Sequence, residues 1–298
     1  RGLMRGLSME TRIDGIMETN PVTASSVDNR QEIVRIMRRG DLLQVPVVSP
    51  DGTVVGLEIL QDLIYGEKKD NPVLLMAGGF GKRLYPLTRD LPKPLLNVGR
   101  KPILESIVEQ IAEAGFHRFY LAVHYKAELV REHFGDGSAW GVSISYLEES
   151  EPLGTGGALG LMPQTDLNLP ILVVNGDLRT KFDFSEVLRF HEAQGGIATV
   201  CVRDYEYEVP FGVVEVQESK IKSIIEKPIQ RSFINAGIYV LDAIISRELE
   251  KNKSIDMPEL LTNYITQGRQ VNALPIHEYW LDIGRNSDYQ RALVDNSD

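Results

Sequence analysis

The stretch that decides the fold is Val73-Leu74-Leu75-Met76-Ala77-Gly78-Gly79-Phe80-Gly81-Lys82-Arg83-Leu84. Its first five residues form an unbroken apolar run, as expected of a strand buried on both faces of a parallel sheet. The glycines that follow let backbone N–H groups approach an anion, and Lys82 and Arg83 place positive charge beside them. Two familiar phosphate loops are excluded. A P-loop has Ser or Thr directly after Gly-Lys, where Arg83 stands, and a dinucleotide fingerprint has a third small residue, where Leu84 stands. Taken alone, the stretch reads equally well as a tight strand-to-helix turn.

Downstream of this loop the pattern alternates. Residues 102–114 predict a helix, with Pro102 at its start, Leu104, Ile107, Val108 and Ile111 on one face, and Gly115 at its end. A strand at 119–123, a helix at 126–134, strands at 143–147 and 171–175 and a helix at 184–193 follow. From residue 197 the chain turns strand-rich, and helices at 243–250, 257–267 and 286–294 close it. This order predicts an α/β fold, a doubly wound, mostly parallel Rossmann-like sheet with a small antiparallel layer. Upstream, residues 30–39 have helical spacing. The runs 44–48 and 53–59 flank Ser49-Pro50-Asp51-Gly52 and predict a hairpin, and 60–66 a short amphipathic helix. The polar segment 67–72 reads as a linker between a unit at 1–66 and a larger domain at 73–298.

The 298 residues are 43% hydrophobic and 25% charged, the mixture of a globular domain rather than a disordered or collagen-like chain. The net charge of −10 argues against general nucleic-acid binding. No apolar run approaches the roughly 20 residues of a membrane span, and residues 1–10 lack a signal-peptide core. The lone Cys201 excludes a disulfide framework and a thiolate metal cage. A cytoplasmic protein with neither a membrane nor a nucleic-acid partner is expected, and any phosphate it handles must be met by a local gathering of cations.

After the glycine loop come Tyr85-Pro86-Leu87-Thr88 and Leu91-Pro92-Lys93-Pro94-Leu95-Leu96, where prolines limit the conformations open to Lys93. Gly-Gly-Phe-Gly-Lys-Arg-Leu with Pro-Lys-Pro-Leu resembles the signature of the sugar-1-phosphate nucleotidyltransferases, or nucleotide-sugar pyrophosphorylases, and the resemblance runs from about residue 72 to the last residue. It implies that Ala77, Gly78, Gly79, Gly81 and Lys82 bind nucleotide, and that Arg83 and Lys93 hold the triphosphate and leaving group. Lys82 stands where many members carry Thr or Ser, offering a charge in place of a hydroxyl.

Asn175-Gly176-Asp177 ends the strand at 171–175, and ligands of open α/β sheets bind beyond the carboxyl ends of strands. Asp282 lies in Tyr279-Trp280-Leu281-Asp282-Ile283-Gly284. Mg²⁺ takes one or two carboxylates plus phosphate and water oxygens, although a turn at 175–177 and an N-cap at 282 account for the same residues. The resemblance implies that Asp177 and Asp282 are the metal aspartates. It also implies that Glu226, Lys227 and Asn235, in Glu-Lys-Pro and Asn-Ala-Gly, serve the sugar phosphate. The turn Pro152-Leu153-Gly154-Thr155-Gly156-Gly157-Ala158 would contact base and sugar through Gly154, Thr155 and Gly156, and Gly212 would belong to a further sugar-side loop. Arg179 departs from the pattern. A cation two residues past the metal aspartate either points away or pairs with a carboxylate.

Residues 17–66 resemble a single CBS unit, a regulatory module that works in tandem pairs, with Arg1–Leu7 similar to the tail helix of a missing first unit. The chain is therefore expected to be a fragment that forms homo-oligomers through its CBS unit. Ile59 replaces the hydroxyl that such a unit places on a nucleotide phosphate, while Asp62 is kept. The resemblances imply an enzyme joining a nucleoside triphosphate, preferably GTP, to a hexose or hexosamine 1-phosphate with Mg²⁺. The alternative is a catalytically weak nucleotide-sensing subunit on the same fold, which Arg179 and the incomplete CBS pair would favour.

Overall fold

In a computed structural model of the chain, residue 12, residues 17–60, residue 63, and residues 68–164 and 168–295 are described. The expected tail helix at 1–7, Asp62 and most of the helix at 60–66 lie outside them. The chain divides into two units, Arg1–Glu67 and Lys68–Asp298.

In the first unit, β1 (Ala24–Ser25), β2 (Gln44–Val48) and β3 (Val54–Ile59) form a sheet in that order, with the predicted β2–β3 hairpin turning at Gly52 (φ +83°). Helix α1 (Arg30–Gly40) is capped by Asn29, whose side chain accepts from the Glu32 N–H. Its Ile33 and Met37 meet Ala24, Val45 and Val47 in a small core. Val54, Val55 and Leu57 on β3 are exposed.

The second unit opens with β4 (Lys69–Met76). Segment 69–72, expected as linker, is thus strand. Its polar groups are satisfied by neighbouring carbonyls: Lys69 Nζ donates to Ala114 O (2.7 Å) and Asn71 Nδ2 to Pro170 O (2.9 Å). Pairing on one side of β4 begins only at Val73, so Pro72 forfeits no ladder bond there. Then come α2 (Ile103–Glu113), β5 (Phe116–Val123), α3 (Ala127–Phe134), β6 (Ser143–Glu148), β7 (Ile171–Asn175), β8 (Leu178–Thr180) and α4 (Phe184–Gln194). The strand-rich part is β9 (Ala198–Glu208), β10 (Val213–Gln217), β11 (Lys220–Ile225) and β12 (Ile229–Leu241). Helices α5 (Ala243–Glu248) and α6 (Met257–Thr266), strands β13 (Val271–Pro275) and β14 (Trp280–Asp282), and α7 (Asn286–Val294) complete it.

The central sheet runs β13-β9-β12-β7-β4-β5-β6. Pairs β4–β5, β4–β7, β5–β6 and β9–β13 are parallel, while β9–β12 and β12–β7 are antiparallel. This is the expected α/β sheet, with the strand-rich part supplying the antiparallel strands. Alternate residues of each inner strand enter opposite cores, as a period of two requires. Val73, Leu75, Leu121, Val123, Leu172 and Val174 share one face with α2, while Leu74, Tyr120, Ala122, Ile171 and Val173 share the other with α6. Strands β9 and β12 continue past the sheet as a two-stranded ribbon, and β10–β11 is a hairpin with exposed residues on both faces. Among the described residues no helix is long and apolar enough to cross a membrane.

Candidate active site

The chain leaves β4 to build β5 and β6 on one side, then returns to place β7 on the other. The carboxyl ends of β4 and β7 therefore flank a topological switch point, where ligands of such sheets bind. The glycine loop leaves β4 there, and Asn175-Gly176-Asp177 leaves β7. Gly176 is required by contact: its N–H donates to Met76 O (2.9 Å), and a Cβ would stand 2.5 Å from that oxygen. The two segments are pressed together at the backbone.

Asp177 and Asp282, far apart in sequence, meet through the β8–β14 ladder. Leu178 pairs with Asp282, and Ile283 N donates to Asp177 O (3.0 Å). Lys93 Nζ is ion-paired with Asp177 Oδ2, and Lys93 is only 8% exposed. The other oxygen, Asp177 Oδ1, is buried without a hydrogen-bond partner. Loss of water around Asp282 and the nearby Asp177 charge push its carboxyl above the usual range, against the pull of Lys93 and Arg83. Arg83 Nη1 lies 3.6 Å from where a Cβ on Gly284 would stand, and Asp282 Oδ1 3.5 Å from the same point. Arg83, Lys93, Asp177 and Asp282 thus form one cluster. An orphaned carboxylate oxygen beside a second carboxylate fits a hard divalent cation. Among the described residues no group of three or more His, Cys, Asp or Glu side chains could hold a metal ion, so the pair would need oxygens from substrate and water.

Within the glycine loop, Gly81 is left-handed (φ +63°), and a Cβ there would lie 2.8 Å from Thr88 Cγ2 and 3.1 Å from Lys93 Cβ. Thr88 Oγ1 donates to Gly81 O (2.9 Å). Gly81 is therefore small so that the lysine-bearing segment can pack on it. Ala77 donates its N–H to Ala122 O (2.9 Å), Gly79 faces open space, and Lys82 Nζ stands 5.2 Å from the Phe80 ring centroid.

The second glycine turn, Gly154–Gly157, is tied to a neighbouring segment. Gly154–Gly157 is itself one helical turn, clamped to the start of α6. Gly156 N and Gly157 N donate to Ile255 O, and Cβ atoms on Gly154, Gly156 and Gly157 would crowd the backbone of 253–257. Thr155 Oγ1 donates to Asp256 Oδ1 (3.3 Å) and accepts from Met257 N (2.8 Å). Its hydroxyl, expected at the sugar, is thus engaged in joining two segments. The close approach these glycines permit is to protein backbone.

At the base of the β10–β11 hairpin, Glu226 Oε2 lies 2.9 Å from where a Gly212 Cβ would be, so these two meet. Lys227, left-handed at φ 46°, stands at the β11–β12 junction. Asn235 Oδ1 accepts from Gly237 N (2.9 Å). Asn235 also bonds Tyr239, whose hydroxyl is pushed up to about 12, mainly by burial. Arg179 points away from the aspartates: Nη1 donates to Ala292 O (2.6 Å), and the guanidinium lies over the Tyr279 ring.

Two site residues escaped the sequence reading. Glu149 follows β6 and is 6% exposed. Its Oε2 accepts from Leu153 N (3.0 Å), and Oε1 lies 3.4 Å from where a Gly78 Cβ would be. Burial pushes its carboxyl up. The carboxyl-end rule that selected Asp177 would have selected it too. Asn175 is the other; its Oδ1 is buried without a partner, and Gly237 (φ +72°) leaves room for its amide.

The architecture is that of an α/β protein with cations and carboxylates gathered at the switch point of its sheet. A family model described as nucleotidyl transferase matches residues 72–298, and the chain belongs to that family. The mannose-1-phosphate guanylyltransferase catalytic subunit beta of Danio rerio is 35% identical over 227 residues, covering 74% of this chain and 63% of that protein. The mannose-1-phosphate guanyltransferase of Schizosaccharomyces pombe is 34% identical over 224 residues, 72% of this chain and 61% of that one. The chain therefore matches less than two thirds of the length of these relatives. Among solved structures, one described as a glucose-1-phosphate thymidylyltransferase from Bacillus anthracis, in complex with a sucrose, superposes with a TM-score of 0.62 at 27% identity, over 76% of this chain and 95% of that one. HddC from Yersinia pseudotuberculosis, complexed with GMP-PN, gives 0.59 at 25% identity, over 76% and 99%.

Proposed function

We propose that this chain transfers a guanylyl group from GTP to a hexose or hexosamine 1-phosphate, releasing pyrophosphate. The observation that carries the reading is the cluster of Arg83, Lys93, Asp177 and Asp282 at the switch point. A sugar phosphate oxygen bonds to the α-phosphorus as the bond to the departing pyrophosphate breaks, so no covalent enzyme intermediate is needed. The chain's part is positioning and charge neutralisation. The glycine loop presents N–H groups to the triphosphate, Arg83 and Lys93 offset its charge, and Lys227 with Asn235 holds the sugar phosphate. Asp177 and Asp282 would hold Mg²⁺, which when bound supplies further charge stabilisation on phosphate oxygens.

Guanine is favoured by Glu149. Its free oxygen beside Gly78 is an acceptor, and guanine offers N1–H and N2–H donors where adenine offers an acceptor. The relatives named as guanylyltransferases support the same base. Pyrophosphate release measured across the common triphosphates and sugar 1-phosphates tests the reading, with GTP expected to be the best donor. No release with any pair would overturn it and restore the nucleotide-sensing alternative. Glu149→Gln should lower the preference for GTP by about tenfold to a hundredfold, the value of a hydrogen bond to a charged group.

For the first unit we infer a role in assembly. The exposed Val54, Val55 and Leu57 on β3, and Ile59 at its end, suit contact with a second CBS-like unit better than a nucleotide phosphate.

A further inference from the structure

The charge balance of the aspartate cluster carries a consequence for the order in which its ligands enter. Lys93 is held on a short helical turn, Lys93–Leu95, between Pro92 and Pro94, with Leu95 N bonded to Pro92 O (2.9 Å) and Leu96 N to Lys93 O (3.0 Å). Its stem packs against Gly81, and its ammonium is paired with Asp177 Oδ2. Lys93 and Arg83 offset the two carboxylates, with Asp288 Oδ2 close to the same point beside Gly284. A bare divalent cation would have to approach an ammonium already seated on one of its two ligands. Beside Asp177 it would meet that ammonium as a like charge at close range, with no substrate anion to offset the repulsion.

We infer that Lys93 is a built-in counter-ion that closes Asp177 to a bare divalent cation, so that metal enters this site only together with a polyphosphate. The inference rests on the nucleotidyl-transfer reading. A triphosphate brings the negative charge that the ammonium needs as an alternative partner. When Lys93 moves to a phosphate oxygen, Asp177 Oδ2 is freed beside Oδ1, which has no partner at the outset. The pairing thus makes release of the aspartate conditional on the anionic substrate.

The test is direct titration of the full chain with Mn²⁺ alone, following the electron paramagnetic resonance signal of free Mn²⁺. The wild-type protein should bind Mn²⁺ no tighter than about 1 mM, and tighter binding at the aspartates, abolished by Asp177→Asn, overturns the inference without any further variant. Lys93→Met should bind bare Mn²⁺ about tenfold tighter or more, because the competing charge is gone, and adding Asp177→Asn to it should remove the gain. Lys93→Arg, which keeps the charge, should stay as weak as wild type. A Lys93→Met protein that folds, by its thermal transition, and gains less than this also overturns it. Pyrophosphate release by the wild type is scored separately. Failure there removes the proposed reaction, whereas failure in the Mn²⁺ titration removes only the counter-ion role.

Discussion

Glu149 carries its carboxyl in a place that disfavours the charge, and this makes its protonation visible in stability. Burial raises its folded-state pKa above the ordinary glutamate value of about 4.3. The folded chain then binds this proton more readily than the unfolded chain, so the stability it contributes is fully present below the ordinary value and is lost as pH rises through the folded one. Glu149→Gln keeps an acceptor for Leu153 N and removes the titration. Thermal transitions recorded from about pH 3.3, one unit below that ordinary value, upward to about pH 7 should show the variant gaining on wild type as pH rises; parallel curves would contradict the burial argument. At Asp177 the expected loss is in rate. Asp177→Asn should lower turnover by about 10²–10³, as for removal of one charge-stabilising group, and steady-state pyrophosphate release measures it. Asp177 was legible in the sequence because it ends an apolar strand. Glu149 was not, because it sits among other acids in Glu148-Glu149-Ser150-Glu151 and only the fold separates it from Glu148, which pairs with Arg131 at the surface.

At the scale of elements, the turn 154–157 and the start of α6 behave as one joint. Thr155 Oγ1 takes the Met257 N–H that would otherwise be an unsatisfied donor at the helix start. Thr155→Val should therefore cost about 1 kcal/mol of stability, the usual worth of a lost helix cap. Urea denaturation gives that number, and the Michaelis constant for the sugar phosphate should change less than twofold to threefold, below the tenfold that about 1.4 kcal/mol would bring. A large rise in that constant with unchanged stability would return the hydroxyl to the sugar. The sequence marked this turn correctly as glycine-rich, but a glycine is needed equally for a ligand and for a neighbouring backbone. The partner, residues 253–257, lies about a hundred positions away and carries no signature of its own. The same limit explains Lys69–Pro72. Polar residues and a proline read as linker until the carbonyls of Ala114 and Pro170 are known to receive them.

For the whole molecule, every residue proposed for the reaction falls in Lys68–Asp298, and Arg1–Glu67 has its own small core. A protein beginning at Lys68 should keep turnover within about threefold of the full chain, a difference under 1 kcal/mol in barrier, and should be smaller in assembly by sedimentation velocity. Loss of activity on this deletion would tie the first unit to the reaction. The alternation of strand and helix made the sheet readable from the amino acids. Pairing of β8 with β14 was not readable, since three-residue strands have too few side chains to show a period. The turning away of Arg179 toward Ala292 and Tyr279 depends on α7 being folded back beside it.

That late pairing has a bearing on biosynthesis. The glycine loop, Lys93 and Asp177 all emerge from the ribosome well before Asp282, and β14 must be made before it can close on β8. A chain still being translated therefore holds the glycine loop, Lys93 and Asp177 but not yet the second carboxylate proposed for the metal. On the proposed reading, a chain cut short before Asp282 would keep the cations offered to the triphosphate yet lack half of the proposed metal site, so premature termination would favour sequestering nucleotide over turning it over.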